Sequence, residues 1–145
     1  MQGKIALEEH FAIEDTLNLD SHDSLCGILP LFHSMGFTVG LWAILGTHVR
    51  GIYHFSPLDA KIIGKLCRDY GITIMVSTPT FLRSYLRRCE PEDFAKMELV
   101  VTGAEKLPGD VLAAFEEKFG IRPMEGYGTT ELSPIVSYNI PVNRT

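Results

Sequence analysis

Short apolar runs alternate along this chain with stretches whose apolar residues recur every three to four positions. The runs are "SLCGILP" (24–30), "HVRGIYH" (48–54), "ITIMVST" (72–78), "LVVTG" (99–103), "IRPMEGY" (121–127) and "PIVSYNI" (134–140). Such runs suit buried strands, the second and fifth being weakened by glycine, proline or charge. Three intervening segments carry helix punctuation. In "SPLDAKIIGKLCRDYG", Ser56 can cap, Pro57 fits the first turn and Gly71 follows the end, with Leu58, Ile62, Leu66 and Tyr70 as the apolar stripe. In "TPTFLRSYLRRC", Thr78 caps and Pro79 opens a helix with Phe81, Leu82, Tyr85 and Leu86 on one face. "LPGDVLAAFEEKFG" opens at Pro108, places Val111, Leu112, Phe115 and Phe119 on one side, and stops at Gly120. A fourth apolar helix is expected over 35–46, with Met35, Phe37, Leu41, Trp42 and Leu45 mostly in the core.

Alternation of strands and helices predicts an α/β fold: a mostly parallel sheet of about five or six strands with helices on both faces. Ligands of such sheets bind beyond the carboxyl ends of the strands. The unusual loops fall there: "LPLFHSMG", "STPTF", "TGAEKLP" and "EGYGTTE". If their strands are parallel, all four meet on one edge. Residues 1–23 read as a lead-in segment, with a helix near 5–15 and a turn at "DSHDS", and 24–145 as the α/β unit.

Composition narrows the function. With 145 residues, 46% apolar and 21% charged, the chain can bury a core without covalent staples. A net charge of −5 and no basic run beyond Arg87–Arg88 argue against a nucleic-acid partner. Cys26, Cys67 and Cys89 have neither disulfide-framework nor zinc spacing, and read as buried thiols of a reducing cytoplasm. Glu8 and Glu9 do not suit a secretory leader, and "MGFTVGLWAILG" is shorter than the ~20 residues a membrane span needs. A cytoplasmic protein is expected, with room for a peripheral membrane contact.

Each loop has its own chemistry. In "GYGTTE", Gly126 and Gly128 let backbone N–H groups approach a ligand, and Tyr127 offers a flat face. Thr129 and Thr130 offer hydroxyls to phosphate, and Glu131 offers an oxygen to Mg²⁺. Alone, the hexapeptide equally suits a tight turn that caps a helix. Gly103 and Ala104 permit close approach at a strand end, as in an ordinary strand-to-helix turn. "FHSMG" has the outline of a nucleophile elbow, but Phe32 stands where a small residue is needed. No acid lies between Ser34 and His48 or His54, so a hydrolase is disfavoured. His33 could line an acyl pocket or simply be a polar tip.

Taken together, "DSLCGILPLFHSMG", "STPTFLRSYLRRC", "LVVTGAEKLP", "EGYGTTELSP" and "SYNIP" resemble the AMP-forming acyl and aryl ligases, in that family's order and over most of the chain. "DAKIIGKL", "TPTFLRSYLRRCEPEDF" and "GAEKLP" look most like bacterial acyl-[acyl-carrier-protein] synthetases and 2-acylglycerophosphoethanolamine acyltransferases. The resemblance implies that Gly103, Ala104 and Glu105 border adenine, and that Tyr127 stacks on it beside Gly126, Gly128 and Thr129. It further implies that Thr130 holds the α-phosphate of ATP and Glu131 coordinates Mg²⁺, both at the catalytic centre. His33 would stand at the acyl pocket, with Phe37, Thr78, Pro79 and Phe81 as walls.

The implied reaction joins a fatty carboxylate to AMP, releases pyrophosphate and passes the acyl group to a carrier-protein or CoA thiol. In that family a phosphate loop would precede residue 1, and a ribose-binding aspartate and a lysine-bearing domain would follow residue 145. The expectation is a central part of the large N-terminal domain that cannot complete adenylation alone. Two other readings stand beside it: an α/β structural or interaction module without nucleotide affinity, and a ligase for short-chain or aryl acids.

Overall fold

The computed structural model describes residues 19–127 and Ser137–Tyr138. Strands β1 (Ser24–Gly27), β2 (Arg50–Tyr53), β3 (Ile74–Ser77), β4 (Leu99–Thr102) and β5 (Met124–Tyr127) are mutually parallel. The two-residue β6 (Ser137–Tyr138) runs antiparallel to β5. The sheet order is β2-β1-β3-β4-β5-β6, so the chain crosses from the β2 edge over β1 to reach β3. The expected mostly parallel sheet is therefore observed, with six strands and each strand shorter than its apolar run.

Alternation along the strands builds two cores. Cys26, Met75 and Val100 face one side, where α3 (Ala60–Tyr70), α4 (Pro79–Arg88) and α5 (Gly109–Phe119) bring Ile63, Cys67, Leu82, Tyr85, Val111 and Phe115. Leu25, Ile74, Val76, Leu99 and Val101 face the other, where Met35, Val39 and Ile44 pack. Fully burying side chains of this size is worth about 1.5–3 kcal/mol each, which offsets the entropy of ordering the backbone.

The α4 and α5 segments follow their sequence signals. Thr78 caps α4 by accepting from the Phe81 N–H at 3.4 Å, Pro79 fills the first turn, and Leu82 and Tyr85 are fully buried. Helix α5 ends at Gly120, whose φ of 70° is the left-handed cap a glycine supplies without strain. Pro108 lies one residue before its first turn.

Two expectations fail for packing reasons. Helix α3 starts at Ala60, not at Ser56–Pro57, and its buried face is Ala60, Ile63, Gly64 and Cys67. Leu58, Ile62 and Tyr70 are exposed. The small residues win because α3 lies close to the short 3₁₀ turn Pro91–Phe94. A Cβ on Gly64 would stand 2.9 Å from the Asp93 carboxylate and 3.1 Å from the Cys89 sulfur.

The 35–46 segment is likewise not one amphipathic helix. It runs as α1 (Ser34–Phe37), a π-helical turn (Thr38–Trp42) and α2 (Ala43–Gly46). The wider turn shifts the helix phase. Phe37, Trp42 and Leu45 therefore point outward, while Met35, Val39 and Ile44 pack inward.

At the amino edge of the sheet, the predicted "DSHDS" turn forms: the Asp20 carboxylate accepts from the His22 N–H at 2.7 Å. Asp23 then accepts from the Thr73 hydroxyl at 2.8 Å, joining the starts of β1 and β3 across fifty residues of chain. The helix expected near 5–15 lies outside the described residues. Among those described, no helix is long and apolar enough to cross a membrane.

Candidate functional site

Because β1, β3, β4 and β5 are parallel and adjacent, their carboxyl ends form one edge. The loop after β1 enters α1 through His33, whose extended backbone places it at the N-cap. Its Nδ1 accepts from the Met35 N–H at 3.3 Å, so in the neutral ring the proton sits on Nε2 of an exposed side chain. Gly36 explains the rest of "HSMG". A Cβ there would lie 2.1 Å from the Pro30 carbonyl oxygen, so only glycine lets α1 rest on the preceding loop. The motif is a close-packing device that aims His33 at the edge, and not a nucleophile elbow.

The β4 loop is the most constrained part of the edge. Gly103 is buried, its N–H donates to the Ser77 carbonyl at 3.1 Å, and a Cβ on it would stand 3.4 Å from Met35 Cε and 3.8 Å from the Gly126 carbonyl oxygen. Residues 35, 103 and 126 thus meet although the chain separates them widely. Ala104 has φ of 67°, the left-handed region, where a Cβ costs about 1–2 kcal/mol. Strain of this kind persists where neighbours over-determine the backbone. Two side chains do so: the Thr80 hydroxyl donates to Glu105 Oε2 at 2.8 Å, and Glu125 Oε1 accepts from the Leu107 N–H at 3.2 Å.

The predicted residues fall into three groups. His33, Thr78, Gly103, Ala104, Glu105 and Gly126 all lie at this edge. Pro79 is buried in the first turn of α4, and Phe81 packs with the Cys26–Met75–Val100 core, on the opposite face of the sheet from Met35 and Val39. Phe37 is exposed and meets Trp42 edge-on, with ring centroids 6.1 Å apart. Gly128, Thr129, Thr130 and Glu131 lie outside the described residues, as does the side chain of Tyr127, whose backbone ends β5.

Sequence reasoning missed Thr80 and Glu125 at this edge. Thr80 stood inside "STPTF" and Glu125 inside "MEGY", but nothing in their spacing signals that each reaches the loop after β4. A narrow cleft between the ends of β1 and β3 and the α1–π segment was also unforeseen. Leu25, Gly27, Leu29, Met35, Gly36 and Val39 are among its lining, which contains no charged side chain.

Gly103 is buried and in reach of Met35 and the Gly126 carbonyl, while Ala104 and Glu105 beyond it are exposed at the strand ends. For a divalent cation the expected ligand, Glu131, is outside the described residues. Among those described, no group of three or more His, Cys, Asp or Glu could hold a metal.

Known proteins share this fold. The ATP-bound MatB structure from Rhodopseudomonas palustris superposes with a TM-score of 0.84 at 23% identity, covering 94% of this chain and 27% of that one. A medium-chain-fatty-acid–CoA ligase of Ectopseudomonas oleovorans is 27% identical over 139 residues, 90% of this chain and 24% of the relative. A long-chain-fatty-acid–CoA ligase of Bacillus subtilis is 31% identical over 122 residues, 81% of this chain and 21% of the relative. The chain thus spans about a quarter of the length of these relatives. The model of the family described as AMP-binding enzyme matches residues 5–145, nearly the whole chain, and this chain belongs to that family.

Proposed function

We propose that this chain is the central part of an ATP-dependent, AMP-forming ligase for fatty acids. The observation that carries the reading is the meeting of Met35, Gly103 and Gly126 at one sheet edge, in a chain that the AMP-binding enzyme family model matches over residues 5–145. The nucleotide would lie along Gly103, Ala104 and Glu105 with its base against Tyr127. The acyl chain would enter from the side of His33, Met35 and Val39.

The protein's own contribution would be positioning and electrostatics. Backbone groups at Gly103 and Gly126 would set where the base can lie, and the Thr130 hydroxyl would be the donor to an α-phosphate oxygen. His33, held by its own N-cap bond, would offer Nε2–H to the substrate carboxylate. Mg²⁺, held by Glu131, would supply charge neutralisation at the phosphates. The acceptor would be a thiol, of CoA or of a carrier protein. The relatives are about four times longer than the stretch they share with this chain, and the 145 residues by themselves would form no acyl adenylate. Its place in the cell would be the cytoplasm, with a peripheral membrane contact.

Calorimetric titration of the chain with AMP and MgATP tests the reading. Millimolar or tighter binding, lost in Tyr127→Ala with the fold intact, is expected. Absence of binding would leave an α/β scaffold without nucleotide affinity. Pyrophosphate released by the purified chain would sink the claim of inactivity.

A further inference from the structure

Helix α4 and the β4 loop meet through one polar contact that the fold does not need for its core. The Thr80 hydroxyl donates to Glu105 Oε2 at 2.8 Å, and both residues are exposed. Thr80 donates from the first turn of α4. The Thr78 cap and Pro79 lock the first turn of α4, and a β-branched side chain has few rotamers. Glu105 follows Ala104, the only non-glycine residue with positive φ among those described. Beyond it the loop is tied again by the Leu107 N–H to Glu125 Oε1 bond at 3.2 Å. The loop is therefore held from the β3 side by Thr80 and from the β5 side by Glu125.

We infer that Thr80 is a positioning residue for nucleotide, one that holds Glu105 and so keeps the strained 103–107 loop in its binding shape. The inference rests on the nucleotide site proposed above. Thr80 touches neither base nor phosphate in it and acts through Glu105. Because Thr80 lies in the first turn of α4, the contact links that helix to the nucleotide loop.

The test compares the chain with Thr80→Val, which keeps shape and loses the donor, and Thr80→Ser, which keeps the donor. AMP affinity is read by calorimetry, and exchange of the Leu107 amide by hydrogen–deuterium exchange. Thr80→Val is expected to weaken AMP about fivefold and speed Leu107 exchange by a similar factor, the loss of one ordinary hydrogen bond. Its melting temperature should fall by no more than the few degrees that one hydrogen bond is worth, and Thr80→Ser should restore both readouts. Should Thr80→Val fold poorly, Thr80→Ala gives the same comparison. Wild-type affinity in a folded Thr80→Val chain overturns the inference and leaves the proposed function standing. A wild-type chain that binds no AMP overturns both.

Discussion

The Tyr53 hydroxyl donates to the Gly40 carbonyl at 2.5 Å, joining the edge strand β2 to the π-helical turn. The ring lies over two strand glycines: a Cβ on Gly27 would approach it to 2.4 Å, and one on Gly51 to 2.8 Å. The wide turn shifts the phase of its hydrogen bonds, and Tyr53 gives the Gly40 carbonyl a partner. Desolvation raises the Tyr53 pKa, which keeps the donor protonated.

Removing that hydroxyl with Tyr53→Phe should cost about 1 kcal/mol of stability, the net value of one hydrogen bond. Gly27→Ala, which forces the ring away, should cost about 1–3 kcal/mol. Urea denaturation of both variants checks the order: the glycine change should be the larger.

Gly64→Ala sets two effects against each other. Alanine in a helix interior gains about 1 kcal/mol over glycine. The added Cβ, however, meets the Asp93 carboxylate and the Cys89 sulfur. Asp93 cannot swing away, because it is bound by Arg68 at 3.0 Å and by the Glu90 N–H at 2.9 Å. Overpacking should win, with a net loss of about 1–2 kcal/mol. A thermal melt equal to wild type would show that the 3₁₀ turn yields.

Alkaline pH should unfold the chain through its buried acids. Burial pushes the Cys89 thiol from 9.0 up to about 11, and its Sγ–H donates to the Ala60 carbonyl at 3.2 Å. Burial also raises Tyr85, whose hydroxyl donates to the Pro57 carbonyl at 2.7 Å. The hydrogen bond with Cys26, then burial, raises Cys67. A folded pKa above the unfolded one means the native state holds its proton longer. Stability is then intact below pH 9 and falls as pH rises from 9 towards 11. Chemical denaturation at pH 8 and pH 10 should show the drop, and Cys89→Ala should lessen it.

Ala104→Gly should trade shape for stability. It removes a left-handed alanine worth about 1–2 kcal/mol of strain, less about 0.5–1 kcal/mol for the freer unfolded chain. The melting temperature should rise slightly while AMP affinity falls, because the loop gains other conformations. A rise in both would mean the strain has no part in binding.

Much of the fold could be read without coordinates. Thr78–Pro79 and Gly120 mark helix ends through local chemistry: a side-chain cap, a fixed φ, a left-handed turn. Strand runs such as "LVVT" are apolar on both faces because both faces are covered. What failed was the buried side of α3 and the phase of 35–46. A four-residue spacing in Leu58, Ile62 and Leu66 looks like a stripe, yet helix packing chose Ala60 and Gly64, whose small size allows close approach. The π turn has no local signature, so Phe37 and Trp42 were placed inward.

By itself, the sequence determined the element order, the caps, and the identity of the loops that carry the chemistry, since these depend on neighbours a few residues apart. Only the tertiary structure decided the β2-β1-β3-β4-β5 order, the outward turn of Phe37, and the pairings Thr80–Glu105 and Glu125–Leu107. Those depend on distances between residues 18 to 25 positions apart in the chain, set by how helices pack on a sheet. No local pattern of polar and apolar residues encodes that.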